Sequence, residues 1–138
     1  MKWTLFEYLY RDAGNFKAFG TLALEGALTV DKQQKLRSHF PRDGLFIAEQ
    51  LDVPPLYKAL YECSGGPTLS DHCWHEFSDV KVIEDSEVPV DAHRWGSVTR
   101  FLERLAAVDT WDEEMSPHFR LEAWRPPLHF ETMLSMPR

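Results

Sequence analysis

Cysteine is scarce in this sequence: Cys63 and Cys73 are its two cysteines. They form no Cys-x-x-Cys pattern, and two thiols do not make a disulfide framework, so both are expected as free thiols. Long apolar runs are also missing. The apolar run from Trp3 to Tyr10 is interrupted by Glu7 and is followed by no small-residue cleavage pattern. No stretch approaches the ~18 to 20 apolar residues of a membrane span, so a cytoplasmic, unanchored protein with no membrane contact is expected. The sequence holds no Gly-x-Ser-x-Gly elbow, phosphate loop or dinucleotide fingerprint, and Gly65-Gly66 reads as a loop. Positive charge is scarce in the middle third. Residues 46–92 carry two Lys/Arg against ten Asp/Glu, whereas residues 1–45 carry seven against five and residues 93–138 six against seven. Such a surface repels a phosphate backbone and attracts a basic partner, which argues against nucleic acid.

Aromatic residues are abundant, at 13% of 138 residues, including five Trp and nine Phe. A chain of this length buries about two thirds of its unfolded surface, enough for a core without staples. The pattern predicts one domain over residues 1–115 and a C-terminal arm or tail over residues 116–138, docked through Trp124, Leu128 and Phe130 or ordered on binding. Trp3 to Arg11 reads as a strand apolar on both faces, hence central. Asp12-Ala13-Gly14-Asn15 supplies turn chemistry, and Phe16 to Glu25 returns as the second strand of a hairpin. A short helix is expected from Asp31 to His39, capped by Thr29 or Asp31, with Val30, Leu36 and Phe40 inward. Leu45 to Ala48 reads as a short buried strand. Pro54-Pro55 opens a one- or two-turn helix through Leu56, Leu60 and Tyr61. His72 to Ile83 reads as a strand with an irregular step near Ser78-Asp79. A helix from Ala92 to Val108, capped by Asp91, places Trp95, Val98, Leu102, Leu105 and Ala106 on one stripe. The expected fold is therefore α+β, a mainly antiparallel sheet of about four strands in the order ββαβ(α)βα, with one face covered by helices.

Four groups of residues could carry chemistry. Arg11, Asp12, Asn15 and Lys17 sit at the hairpin tip, where Arg11 and Lys17 could grip an anion, or where Asp12 and Asn15 could bond the turn's own backbone. Asp71-His72-Cys73-Trp74-His75-Glu76 is the densest set of potential ligands. Strand alternation puts Asp71, Cys73 and His75 on one face and His72 with Glu76 on the other. Asp71, His72, Cys73 and His75 are weak metal candidates, because either set needs a distant ligand such as His39, His93 or His118 to complete a tetrahedral site. No metal or cofactor is therefore expected. His75 and Glu76, with Arg11 binding an anion, are the candidate acid–base groups, and Cys73 is a thiol beside them. Finally Glu84, Asp85, Glu87 and Asp91, with Asp109, Asp112, Glu113 and Glu114, are either solvated loops or a surface for a basic protein.

Tyr10-Arg11-Asp12-Ala13-Gly14-Asn15-Phe16-Lys17, Phe46-Ile47-Ala48-Glu49 and His72-x-Trp74-His75-Glu76-Phe77 together resemble a group of small bacterial proteins of unassigned function. The resemblance covers residues 5 to 80, with Phe16 where that group suggests Tyr. It implies no activity, cofactor or partner, and no residue's role is carried over. The expectation is a small acidic interaction protein of the inhibitor or immunity type. The alternative is a small metal-dependent or acid–base hydrolase centred on His72, His75 and Glu76.

Overall fold

A computed structural model describes residues 1–12, 14–40, 44–57 and 72–116. The described elements are β1 (Lys2–Arg11), β2 (Lys17–Glu25), α1 (Val30–Ser38), β3 (Leu45–Ile47), β4 (Trp74–Glu84), β5 (His93–Ser97) and α2 (Val98–Ala106), with 3₁₀ turns at Ala48–Leu51, Asp85–Glu87 and Glu113–Met115. The expected helix through Leu60 and Tyr61, the Ser64–Pro67 loop and the C-terminal arm lie outside the described residues, as do Cys63, Asp71 and His118.

The sheet runs β3-β4-β1-β2-β5. β1 is central because both its faces are apolar, and it pairs antiparallel with β2 and β4. The expected irregular step in β4 is a bulge: Glu7 faces Asp79 and Tyr8 faces Phe77, which leaves Ser78 as the extra residue. Two details differ from expectation. The sheet has five strands rather than four, and it is mixed, because β5 pairs parallel with β2 from Leu22 to Glu25. The helix expected from Ala92 begins only at Val98, after a strand. Gly96 has φ 145°, outside the helical region, and the Ser97 side chain accepts a hydrogen bond from the Arg100 N–H as the N-cap. Asp91 therefore caps nothing there.

Both helices cover one face. Leu36 of α1 and Phe101 and Leu105 of α2 close over Phe6, Leu22, Leu24 and Phe46. Val30, expected inward, is 71% exposed as the first helical residue after the Thr29 cap, and Leu36 is the buried residue of α1. On the opposite face Trp3, Leu5 and Ala23 pack under Ala92, with Ile83 and Val88 beside them.

Gly20 marks a close approach. A Cβ built there would lie 2.7 Å from Tyr8 Cζ and 2.9 Å from Tyr8 Oη, whose hydroxyl donates to the Pro54 carbonyl at 2.7 Å. Gly20→Ala is expected to destabilise by about 1–3 kcal/mol through overpacking, read as a lowered urea midpoint.

Candidate functional site

The hairpin tip is built first by its own turn. Asn15 N–H donates to the Asp12 carbonyl at 3.0 Å and Asp12 N–H to the Phe16 carbonyl at 2.9 Å. Asn15 holds φ 67°. The turn closes on a left-handed residue, and Asn is among the few side chains that tolerate that position. Asp12 Oδ1 accepts from the Gly14 and Phe16 N–H groups, both at 2.9 Å. Asp12 and Asn15 therefore serve the turn.

Arg11 stands on the sheet face opposite the helices, beside Leu9 and Glu76. Its Nε donates to Glu76 Oε2 at 3.0 Å and its Nη1 to Asn15 Oδ1 at 2.8 Å. The Glu76 hydrogen bond and charge push the guanidinium further above its ordinary value. Lys17 lies directly across from Arg11 in the ladder, and Glu76 offsets that like-charge neighbour.

His75 turns the other way and is fully buried. Its Nε2 accepts the Leu56 N–H at 2.9 Å, so the proton sits on Nδ1, which lies 3.1 Å from the Cys73 carbonyl and donates to it. The ring packs among Tyr8, Tyr10, Phe46 and Tyr57, with centroids 5.3 to 6.1 Å away. His72 Nδ1 accepts the Trp74 N–H at 3.0 Å. The structure thus joins Arg11, Asn15 and Glu76 on one face and places His75 on the other. Among the described residues no group of three His, Cys, Asp or Glu side chains could hold a metal ion.

Cys73 is buried and its thiol is pushed up to about 12, first by burial and then by the charges of Glu113 and Glu49. The folded thiol stays protonated where the unfolded one ionises, near 9.0. Stability contributed by this group is therefore complete below pH 9.0 and is lost as pH rises toward about 12. At pH ~8 iodoacetamide should label Cys73 slowly in the native protein and rapidly in denaturant; equal rates would contradict the burial.

A buried polar latch escaped the sequence reading. Tyr57 Oη donates to Glu49 Oε2 at 2.6 Å, and Ser116 Oγ donates to the same oxygen at 3.1 Å. Burial and the Glu49 bond raise the Tyr57 phenol above its ordinary range. Gln50 accepts the Asp112 N–H at 2.6 Å and donates to the Thr110 carbonyl at 3.0 Å, while Trp74 Nε1 donates to Glu113 Oε1 at 2.9 Å. These bonds fasten residues 110–116 across the end of β3. The one hint in the sequence is the polar pair Glu49-Gln50 directly after the apolar run Leu45–Ala48.

Three acidic residues at the end of β4 and just beyond it are locally engaged. Glu84 pairs with Lys2, which holds its carboxyl below the usual range. Asp85 Oδ1 accepts the Trp3 indole N–H at 2.7 Å, and Glu87 accepts the Glu84 N–H at 3.0 Å. In the second acidic group Asp112 accepts the Glu114 N–H at 3.0 Å. Asp109 and Asp112 line a cleft of about 300 Å³ with Gln50, Arg104, Thr110 and Met115, at the C-terminal end of α2. Arg104 pairs with Asp52 at 3.2 Å, and no Lys or Arg among the described residues pairs with Asp109 or Asp112. Among the described residues no helix is long and apolar enough to cross a membrane.

Comparison with protein-family models, curated proteins and solved structures returns no match. The functional reading therefore rests on the chain's own geometry.

Proposed function

We propose that this chain is a protein-binding domain that engages a basic partner through the acidic cleft at the C-terminal end of α2. The observation that carries the reading is the pair Asp109 and Asp112, which have no ion pair among the described residues and line a cleft of about 300 Å³. The negative end of the α2 dipole adds to their field. Met115, 48% exposed at the rim, offers an apolar surface for the stem of a Lys or Arg side chain. Charge of this kind mainly raises encounter rate and specificity, so binding weakens with salt.

A tetra-arginine peptide is a sufficient probe. Titrated at low ionic strength, it should shift the amide resonances of Asp109, Thr110, Asp112 and Met115 first. Asp109→Asn with Asp112→Asn should remove that localised response, and Asn at position 112 keeps the cap that Asp112 gives to the Glu114 N–H. Shifts spread evenly over every acidic residue, or none at all, would sink the proposal.

A further inference from the structure

Half of β2 is an open sheet edge among the described residues. β5 covers β2 from Leu22 to Glu25 only, so Lys17–Thr21 has β1 on one side and no described strand on the other. Hydrogen bonding alternates along an antiparallel pair, and the bond from Asp12 N–H to the Phe16 carbonyl sets its phase. Residues 16, 18 and 20 then face β1, while the backbone groups of Lys17 and Phe19 and the Thr21 N–H face outward. No backbone hydrogen bond among the described residues reaches the Lys17 and Phe19 groups. Phe19 is 72% exposed on the sheet face away from the helices. An exposed apolar edge of this kind is a template for another strand.

We propose that this edge pairs antiparallel with the same segment of a second copy of the chain, about a two-fold axis at Phe19. The sequence of the strip selects that occupant, because it is complementary to itself. Centred there, Phe19 exchanges both backbone bonds with Phe19 of the second copy, and the two rings form a cross-strand aromatic pair. Lys17 falls opposite Thr21 of the second copy, so the charges on the strip do not meet each other. Beyond that threonine on the same face stands Glu7, its ladder partner. Glu7 lies two strand spacings, about 10 Å, from the Lys17 backbone, within joint reach of the two side chains. Lys17 has no ion pair among the described residues, and Glu7 Oε1 lies 3.1 Å from Lys81 Nζ in an ion pair. The pairing therefore joins a cation that has no ion pair among the described residues to a carboxylate paired with Lys81, and it closes the edge in a symmetric contact that cannot propagate.

Sedimentation equilibrium of the full chain from about 5 to 500 µM tests it, a range suited to a small strand-to-strand contact. A reversible dimer is expected at the upper end. Lys17→Glu, which sets a carboxylate against Glu7, and Phe19→Lys, which sets like charges across the axis, should each weaken it by about tenfold or more. Both side chains are exposed, and circular dichroism confirms that the variants fold. A monomer at every concentration overturns the proposal, as does a dimer that neither substitution weakens.

Discussion

Phe6→Ala should lower stability by about 3–5 kcal/mol, the range for truncating a buried aromatic. Phe6 is fully buried on β1, and its ring lies 5.0 Å from Phe101 of α2, 5.2 Å from Phe77 of β4, and 6.0 Å from Phe40, just after α1, and from Phe46 of β3. The ring is the point at which three strands and two helices meet. Those neighbours are fixed by their own ladders and helical turns, so they cannot collapse into the space it leaves, and the cavity persists. Against a total stability of about 5–15 kcal/mol the loss is large. Urea denaturation should show a strongly lowered midpoint with an unchanged slope. A change under about 1 kcal/mol would mean that the helices do not close on β1 as described.

His75→Phe should cost about 2–6 kcal/mol although it keeps a ring of similar size. The substitution strands two buried backbone groups, the Leu56 N–H and the Cys73 carbonyl, and each lost partner costs about 1–3 kcal/mol. The adjacent substitution Glu76→Gln gives the contrast. Glu76 faces the opposite side of the sheet in a half-exposed pair with Arg11, where water screens the charge and replaces the lost bond. Its effect should be much the smaller. Equal losses at the two positions, measured side by side by urea denaturation, would contradict their placement on opposite faces.

Much of this was readable from alternation of period two. The apolar faces of Trp3–Arg11, the turn chemistry of Asp12 and Asn15, the step at Ser78-Asp79 and the separation of His75 from Glu76 all depend on neighbours in sequence or on which way a strand residue points. The misplaced start of α2 has a local cause as well: Trp95, Val98, Leu102 and Leu105 fit a helical stripe, while Gly96-Ser97, which starts the helix, is a weaker signal than the stripe it interrupts. That phase also hid Phe101, which the structure buries with Val98 and Leu105. The parallel pairing of β5 with β2 and the latch of Glu49, Tyr57 and Ser116 were not legible. Each joins segments tens of residues apart, and nothing in a single chain's local pattern selects one distant partner over another.

The central claim is that His75 and Glu76 lie on opposite faces of the sheet, His75 held in the core by the Leu56 N–H and the Cys73 carbonyl. The ring ¹⁵N shifts of His75 test it most directly. At neutral pH they should show a neutral imidazole protonated at Nδ1, with Nε2 an acceptor, and should be unchanged by added Zn²⁺. A protonated imidazolium, the opposite tautomer, or a Zn²⁺-dependent shift would place His75 at a reactive or metal-binding site and contradict the claim.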